Sequence, residues 1–278
     1  MDAFRDRIAV ITGAASGIGR AMAGAFARRG ARLVLADINE ESLAQAEKEL
    51  AASGATVLPV HCDVTRRESV VALADRACDH YGRVHVVCNN AGVAVLGTLA
   101  DATPADWEAT MAINFWGVAY GVDAFLPRLI AQGEGGHIVN TASMAGLVGM
   151  EGFGIYCASK FAVVGLTESL HRECRPHDIG VSVLCPMIVA TNIAENTRRV
   201  LGRSPLGPTV AAAPAPTAAD GAGRPRGGVV TADEVGERVV VGIDRRDLYI
   251  FTHPEQRDIL RRRASRQDAM FEDDSWSI

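Results

Sequence analysis

Short apolar runs alternate with longer segments of helical periodicity along most of this 278-residue chain. Runs without polar alternation are typical of strands buried on both faces, and such strands form parallel sheets with crossover helices. These crossovers are right-handed, so successive strand–helix–strand units wind outward from the middle of one sheet. We therefore expect an α/β fold: a doubly wound, seven-stranded parallel sheet with helices on both faces, in a single domain spanning residues 1–278.

The pattern predicts seven strands, which are Ile8–Thr12, Arg32–Asp37, Thr56–Val60, Val84–Asn89, His137–Thr141, Val181–Leu184 and Leu248–Phe251. It predicts helices over Gly17–Arg29, Glu40–Ser53, Arg66–Tyr81, a long interrupted stretch Pro104–Ala131, and Gly154–Arg175. Prolines and glycines then break both periodicities, and we expect a flexible substrate loop over residues 192–228. Thr231 and Glu234 have capping-box spacing ahead of a further helix, and residues 257–278 are predicted to form a C-terminal helix and tail.

Composition excludes several classes of function. The 28 basic residues are outnumbered by 33 acidic ones, which gives a net charge of −5, so we expect no nucleic acid and no anionic membrane as partners. No apolar run approaches the roughly 18 residues that span a bilayer, and a cytoplasmic protein is expected. The six cysteines include no CxxC pair and the seven histidines no HExxH spacing, so no metal site is predicted.

A glycine-rich turn directly follows the first predicted strand. Its sequence is Thr12-Gly13-Ala14-Ala15-Ser16-Gly17-Ile18-Gly19. Glycines allow a tight turn, and they let the backbone N–H groups at the start of the next helix approach a pyrophosphate. Three glycines alone would be a weak indication, but a strand before them and a helix after them are the context of a Rossmann fold. The turn therefore predicts a bound dinucleotide.

Asp37, at the end of the second predicted strand, indicates which dinucleotide is bound. A carboxylate at this position accepts hydrogen bonds from both ribose hydroxyls of an adenosine, and it repels a 2′-phosphate. Its neighbours Ala36 and Ile38 carry no positive charge that would offset this repulsion. NAD is therefore favoured over NADP. The alternative interpretation is that Asp37 caps the helix beginning near Asn39.

The turn, written TGAASGIG, resembles the TGxxxGIG motif of the short-chain dehydrogenase/reductase family. Further family motifs follow in the family's order over nearly the whole chain. They are Cys62-Asp63-Val64, Asn89-Asn90-Ala91-Gly92, Asn114, Ser143, Tyr156-Cys157-Ala158-Ser159-Lys160, and Pro186 through Thr191. The resemblance implies an oxidoreductase that uses a nicotinamide cofactor on a small-molecule substrate and assembles as a homotetramer.

The resemblance also implies individual contacts to the cofactor. Asp63 would bind the adenine amino group and Val64 the edge of the adenine ring, while Ile188 and Thr191 would hold the nicotinamide carboxamide. The full set of predicted cofactor-binding residues is Gly13, Ser16, Gly17, Ile18, Gly19, Asp37, Asp63, Val64, Asn90, Ala91, Gly92, Tyr156, Lys160, Pro186, Ile188 and Thr191.

Tyr156 and Lys160 are four residues apart in a predicted helix, so their side chains share one face and can reach one small site. Only two of the 28 basic residues are lysines, Lys48 and Lys160, which indicates that position 160 needs an ammonium group. A phenol with a pKa near 10 is a poor base at neutral pH, but a nearby ammonium and a positive nicotinamide ring favour the phenolate. We therefore expect Tyr156 to exchange the proton of the reaction.

Ser143 and Asn114 complete the predicted catalytic set with Tyr156 and Lys160. Ser143 follows the fifth predicted strand, and ligands bind at the carboxyl ends of such strands, so its hydroxyl can hold the substrate oxygen. Asn114 lies inside a long predicted helix, where asparagine is unfavourable. The resemblance implies that Asn114 bends this helix and holds a water that relays protons to Lys160.

Met187 departs from the family pattern, which usually has glycine after Pro186. Methionine does not readily adopt a positive φ, so we expect this segment to begin differently.

The predicted substrate contacts besides Ser143 are apolar, and they are Val93, Val95, Met150, Phe153, Met187 and Ile193. They suit an uncharged, bulky secondary alcohol or ketone, such as a cyclic, aryl-alkyl or steroid-like compound. The alternatives are a 3-oxoacyl-carrier reductase, typically NADPH-dependent, and a catalytically silent NAD-binding regulator.

Overall fold

Parallel strands form one central sheet in the computed structural model, which describes residues 4–201 and 228–271. In chain order the strands are β1 (Ile8–Thr12), β2 (Arg32–Asp37), β3 (Val57–His61), β4 (Val86–Asn89), β5 (Gly136–Thr141), β6 (Ile179–Cys185), β7 (Val189–Ala190), β8 (Val230–Thr231) and β9 (Tyr249–Phe251). Seven of them form the sheet in the spatial order β3-β2-β1-β4-β5-β6-β9, while β7 and β8 form a separate short parallel pair. The predicted seven-stranded parallel sheet is confirmed.

Helices cover both faces of this sheet. In chain order they are α1 (Gly17–Ala27), α2 (Glu40–Ala52), α3 (Arg67–Tyr81), α4 (Pro104–Met111), α5 (Gly117–Gln132), α6 (Gly154–Glu173), α7 (Ile193–Leu201), α8 (Ala232–Arg245) and α9 (Arg257–Asp268). Helices α1, α2 and α8 bury residues such as Phe26, Leu43 and Val239 in a core on one face. Helices α3 and α5 bury residues such as Leu73 and Phe125 on the other. The predicted doubly wound Rossmann fold is therefore confirmed.

The long stretch predicted as Pro104–Ala131 is interrupted, as expected, and the interruption is a π-helical segment at Ala112–Trp116. Asn114 lies in the middle of this segment. A π turn inserts one residue into the helical hydrogen-bond ladder, and such insertions are frequent at functional sites. The other predicted boundaries differ from the observed ones by at most two residues, which is the usual uncertainty of helix and strand ends.

Residues 193–201 form α7, although the sequence predicts a flexible loop over residues 192–228. The prolines that suggested a loop all follow the end of this helix, and α7 itself is supported by an ion pair between Glu195 and Arg198 at 2.6 Å. The prediction of a loop was therefore wrong for these nine residues. Residues 202–227, which complete the predicted loop, lie outside the described residues.

The capping box predicted ahead of α8 is confirmed. The backbone N–H of Glu234 donates to Thr231 Oγ1 at 3.2 Å, and the backbone N–H of Thr231 donates to Glu234 Oε2 at 2.8 Å. The predicted C-terminal helix corresponds to α9, while residues 272–278 of the tail lie outside the described residues. Within residues 4–201 and 228–271, no helix is long and apolar enough to cross a bilayer.

The fold brings the predicted site residues to one edge of the sheet. The strand order reverses between β1 and β4, and in such sheets ligands bind above the carboxyl ends of the strands at the point of reversal. The loops that follow β1, β4, β5 and β6 all leave from this edge, because these strands are parallel. We call the region above the β1 and β4 loops, at the carboxyl ends of these strands, the cofactor groove.

Candidate active site

The glycine turn between β1 and α1 packs directly against the loop that follows β4. Gly13 has a φ of +64°, and a Cβ atom there would lie 2.9 Å from the Cα of Ala91. A Cβ on Gly19 would lie 2.2 Å from the carbonyl oxygen of Gly13. Both distances are far shorter than van der Waals contact, so only glycine fits at either position. The floor of the cofactor groove is therefore backbone.

Thr12 and Asn90 fasten these two loops together. Thr12 Oγ1 accepts hydrogen bonds from the backbone N–H groups of Asn90 at 2.9 Å and Ala91 at 3.1 Å. Asn90 Nδ2 donates to the Thr12 carbonyl at 3.0 Å, and Asn90 Oδ1 accepts from Thr141 Oγ1 at 3.3 Å. The sequence did not predict that Thr12 joins the two loops, although its position directly before the first glycine of the turn is a signal for such a role.

The amino end of α1 fits a diphosphate. Ser16 is the N-cap residue, but it makes no side-chain hydrogen bond to the first amides of the helix. Its hydroxyl instead accepts from Asn196 Nδ2 on α7 at 2.8 Å. A Cβ on Gly17 would lie 3.4 Å from the side chain of Thr191, so that residue also borders the turn. The first amides of α1, including that of Ile18, combine with the helix dipole to favour a bound anion.

Asp37 supports the glycine turn and keeps acceptor capacity for a ligand. Its Oδ2 accepts from the backbone N–H of Ala15 and its Oδ1 from that of Asn39, both at 3.0 Å. The cap of α2 is Asn39, whose Oδ1 accepts from the backbone N–H of Ser42, so the alternative that Asp37 caps this helix is wrong. Each carboxylate oxygen has a second lone pair, which suits the hydroxyls of a ribose.

Asp63 and Val64 follow β3 at the side of the cofactor groove. Asp63 is partly exposed, and its Oδ1 accepts from the backbone N–H and the hydroxyl of Thr65 at 2.9 and 2.7 Å. Val64 is buried, and a Cβ on Gly117 would lie 3.0 Å from its side chain. Asp63 is thus accessible to a ligand, while Val64 packs against the start of α5.

Lys160 lies under the loop that follows β4 and is only 3% exposed. Its Nζ donates to the carbonyl oxygen of Thr141, at the end of β5, at 2.9 Å. Nζ also lies 5.7 Å from the centroid of the Tyr156 ring, and a Cβ on Gly92 would lie 3.5 Å from it. Burial lowers the pKa of Lys160 from 10.5 to about 8, because desolvation disfavours the charged form.

Ser143 and Tyr156 lie next to each other at the carboxyl edge of the sheet. Ser143 Oγ also accepts from the backbone N–H of Ala145 at 3.1 Å and lies 3.3 Å from the carbonyl oxygen of Pro186, to which it donates. Burial raises the pKa of Tyr156 to about 12, although the neighbouring Ser143 hydroxyl acts to lower it. The expected lowering of this pKa is not produced by Lys160, because desolvation of the phenolate outweighs the neighbouring groups.

Asn114 connects three parts of the site through its side chain. Its Oδ1 accepts from the backbone N–H of Val93 at 2.8 Å, and its Nδ2 donates to the Val93 carbonyl at 3.0 Å and to Ser159 Oγ at 3.1 Å. Both Nδ2 hydrogens are thereby used. Asn114 therefore fixes the loop after β4 against α6, next to Lys160. A water at this position would have to bond to the remaining lone pair of Asn114 Oδ1 or to backbone groups.

The loop after β4 pairs with the segment before α6, and this segment reaches Tyr156. Val93 and Val95 are buried in that loop, which pairs with Phe153 through Gly97. The rings of Phe153 and Tyr156 lie edge to face with centroids 6.5 Å apart. Of these three predicted substrate residues, Phe153 is thus placed beside the phenol, while Val93 and Val95 are buried in the loop that pairs with it.

Met150 and Met187 belong to a second apolar group, since both pack against the cluster that contains Met144 and Val148. Ile193, at the start of α7, is 38% exposed. Met187 has no positive φ, because within the described residues a positive φ outside glycine occurs only at three positions, none of them in this segment. The structure thus accommodates methionine after Pro186 with an ordinary backbone conformation.

Ile188 and Thr191 lie on either side of β7. The carbonyl of Ile188 accepts from the backbone N–H of Val230 at 3.1 Å, which continues the β7–β8 pairing. Thr191 follows β7 and borders Gly17, as described above, whereas Ile188 precedes β7. The two predicted carboxamide contacts are therefore placed by a strand pair that the sequence did not predict.

Residues 7–201 match a family model described as short chain dehydrogenase. The chain belongs to the short-chain dehydrogenase family. A crystal structure of a short-chain dehydrogenase/reductase from Burkholderia phymatum in complex with NAD has a TM-score of 0.85 to this chain at 38% sequence identity, and the match covers 97% of both chains.

Two enzymes of named reaction are similar to this short-chain dehydrogenase. The 1-deoxy-11-beta-hydroxypentalenate dehydrogenase of Streptomyces exfoliatus is 41% identical over 199 residues, which cover 69% of this chain and 70% of the relative. The 3beta-hydroxysteroid dehydrogenase 2 of Eggerthella lenta is 40% identical over 192 residues, covering 69% of this chain and 74% of the relative. The chain is accordingly an oxidoreductase of a family that binds nicotinamide cofactors.

The lowered pKa of Lys160 predicts how the stability of this short-chain dehydrogenase depends on pH. An unfolded lysine keeps its proton up to about pH 10.5, whereas the folded Lys160 releases it above about pH 8. Between these values the unfolded state binds more protons, so stability rises with pH. We expect wild type to gain about 2 kcal/mol relative to Lys160→Met between pH 8 and 9.5, measured by urea unfolding. Parallel pH profiles for the two proteins would contradict this assignment.

Proposed function

We propose that this protein is an NAD(H)-dependent dehydrogenase that interconverts a secondary alcohol and a ketone. The observation that carries the proposal is the placement of the Ser143 and Tyr156 hydroxyls next to each other beside the buried ammonium of Lys160, at the carboxyl edge of the sheet next to the cofactor groove. A hydroxyl pair of this kind can bind one substrate oxygen and exchange its proton. A protein that only binds a dinucleotide needs no such pair.

In the oxidation direction the phenolate of Tyr156 accepts the proton of the substrate hydroxyl while Ser143 donates a hydrogen bond to the same oxygen. To do this, Ser143 must turn its proton from the Pro186 carbonyl toward the substrate, a change of one hydroxyl rotor. A bound dinucleotide supplies the hydride acceptor, and in its oxidised form a positive charge. Reduction of a ketone reverses the proton transfer, with neutral Tyr156 as the donor.

With a dinucleotide bound, Lys160 would favour the ionised phenol together with the charge of the oxidised cofactor and would hold its nicotinamide ribose. Its bond to the Thr141 carbonyl uses one of three N–H donors and fixes the ammonium beneath the Tyr156 ring. Bringing the pKa of Tyr156 from about 12 to near neutral requires about 6 kcal/mol of differential interaction. Interactions of this size are available only where charges meet in a desolvated site, which is where these residues lie. We further propose that the free lone pair of Asn114 holds a water that passes protons to Lys160.

Asp37 is the basis for proposing NAD over NADP. Its carboxylate lies beside the glycine turn through its bond to Ala15, and Ile38, which is 48% exposed, is the next side chain along the chain. A 2′-phosphate would meet this negative charge with no adjacent cation in sequence. The similar Burkholderia phymatum structure, which contains NAD, supports the same preference.

The substrate we propose is an uncharged, bulky secondary alcohol or ketone of cyclic, aryl-alkyl or steroid-like type. The aromatic ring of Phe153 adjoins the phenol, and the loop that pairs with Phe153 carries the apolar residues Val93 and Val95. The relative named for a 3beta-hydroxysteroid supports this class. The alternatives are a 3-oxoacyl-carrier reductase and a catalytically silent NAD-binding regulator. We also propose that the enzyme works as a cytoplasmic homotetramer, as its family resemblance implies.

Replacing Tyr156 by phenylalanine tests the enzymatic proposal. Tyr156→Phe removes the proton acceptor but keeps the ring that packs against Phe153, so we expect kcat to fall at least about 1000-fold while the Kd for NAD changes less than about threefold. NADH formation would be followed with a panel of cyclic and aryl-alkyl secondary alcohols, and NAD binding by calorimetry. A wild-type protein that binds NAD but oxidises no alcohol in the panel would favour the silent regulator.

Replacing Asp37 by serine tests the cofactor preference. We expect Asp37→Ser to lower kcat/KM with NAD by about tenfold or more and to raise it with NADP, because the ribose loses a carboxylate acceptor and the 2′-phosphate loses a repulsive charge. Asp123→Ser is the matched control, since it removes an exposed carboxylate that pairs with Arg67 and is not among the predicted cofactor-binding residues. An unchanged ratio of the two kcat/KM values in Asp37→Ser, or a wild type that prefers NADP, would contradict the assignment.

A further inference from the structure

Thr252 and His253 form a buried polar pair that the mechanism above does not use. They follow β9 directly, and their exposed fractions are 1% and 3%. Because β9 is parallel to β6, both residues lie at the carboxyl edge of the sheet beside Pro186 and Met187. Buried polar side chains are retained where they make specific hydrogen bonds, so the partners of this pair indicate what it does.

The hydrogen bonds of the pair have only one consistent direction. His253 Nε2 lies 3.0 Å from the carbonyl oxygen of Gly228, which can only accept, so Nε2 carries the proton. In a neutral imidazole Nδ1 is then an acceptor, and the Thr252 hydroxyl, 2.6 Å away, donates to it. Thr252 Oγ1 in turn accepts from the backbone N–H of Met187 at 3.3 Å. The result is a continuous chain from Met187 through Thr252 and His253 to Gly228.

One end of this chain holds the peptide group on which Ser143 depends. The N–H of Met187 and the carbonyl of Pro186 belong to the same peptide group, and this group is planar. Its carbonyl oxygen accepts from Ser143 Oγ at 3.3 Å and from the backbone N–H of Met144 at 2.9 Å. Thr252 therefore holds the N–H edge of the peptide, while its carbonyl edge holds the backbone next to Ser143 through the Met144 N–H, a bond that remains when Ser143 turns its hydroxyl toward a substrate. Loss of the Thr252 bond leaves the peptide held at its carbonyl edge alone.

The other end of the chain holds the segment that pairs with β7. Gly228 precedes β8 by two residues, and β8 pairs in parallel with β7 at Val189↔Val230. The bond from His253 to Gly228 therefore holds the segment that enters β8. Because β8 pairs with β7, the same bond stabilises the position of β7, which ends directly before Thr191. One side-chain pair thus fixes both the peptide before β7 and the strand beside it.

We propose that Thr252 and His253 are positioning residues that orient Ser143 and the β7–β8 pair for catalysis. The proposal rests on the proposed function in so far as Ser143 binds the substrate oxygen. The pair touches neither substrate nor cofactor in this account; it acts through the Pro186–Met187 peptide. Its loss should therefore weaken use of the alcohol more than binding of the dinucleotide.

The test compares Thr252→Val, Thr252→Ser and Ser182→Ala. Valine keeps the shape of threonine but leaves both Met187 N–H and His253 Nδ1 without their partner, whereas serine keeps the hydroxyl. Ser182 is the matched control, since it is fully buried on β6 and bonds to His137 at 2.8 Å, away from the carboxyl edge. Kinetics with NAD and a secondary alcohol, the Kd for NAD, and hydrogen exchange of the backbone amides of residues 186–191 and 228–231 would be measured for each variant.

We expect Thr252→Val to lower kcat/KM for the alcohol by about tenfold or more with less than threefold change in the Kd for NAD, and to speed exchange in both segments by about tenfold. Thr252→Ser should restore both properties, and Ser182→Ala should change neither, even where it lowers the melting temperature. Exchange rates in Thr252→Val no faster than in Ser182→Ala would overturn the proposal. If wild type oxidises no alcohol, the proposed function fails, but the exchange measurement still decides whether the pair holds the segments.

Discussion

The ammonium of Lys160 is held at the carboxyl end of β5 by its hydrogen bond to the carbonyl oxygen of Thr141. An almost fully buried cation is costly unless its donors are used, so the bond fixes where α6 can lie relative to the sheet. Since Tyr156 is one helical turn earlier on α6, the same bond places the phenol over the edge of β5, where Ser143 begins the next loop. The positions of all three side chains thus depend on one buried interaction.

The glycine turn after β1 is positioned by steric fit rather than by a buried charge. Here the constraint is lack of space: Gly13 and Gly19 admit no Cβ, and Thr12 and Asn90 fasten the turn to the loop after β4. That loop also reaches Asn114 and the region of Lys160. The proposed dinucleotide-binding half and the proposed proton-transfer half of the site are therefore connected through residues 90–93, so each holds the position of the other although they lie on different loops.

Much of this arrangement could be predicted from the sequence. Continuous apolar runs separated by helical segments fix a parallel sheet, and the sheet order follows because its crossovers are right-handed. The spacing of Tyr156 and Lys160 places both on one helix face, which the structure bears out, since Nζ lies 5.7 Å from the ring centroid. These inferences succeed because they depend on local periodicity and on steric rules that act over a few residues.

Other features depend on contacts between distant parts of the chain, and these the sequence did not reveal. Helix α7 is fixed by Asn196 on Ser16 and by Thr197 on the backbone of Ala94, partners that are more than 100 residues away in sequence. Thr252 has no motif around it, and its role emerges only from the bond to Met187. The direction of the Tyr156 pKa shift was missed for the same reason: desolvation is a property of the packed site, not of neighbouring residues in sequence.

The central claim is that Tyr156 becomes an ionised base only when the buried site also holds a dinucleotide. The most direct measurement is a pH titration of the phenolate absorbance, taken as the difference between wild type and Tyr156→Phe, with and without saturating NAD. The account predicts a pKa near 12 for the protein alone, a fall of several units when NAD is added, and a much smaller fall in Lys160→Met. A pKa for Tyr156 that NAD leaves unchanged would contradict it.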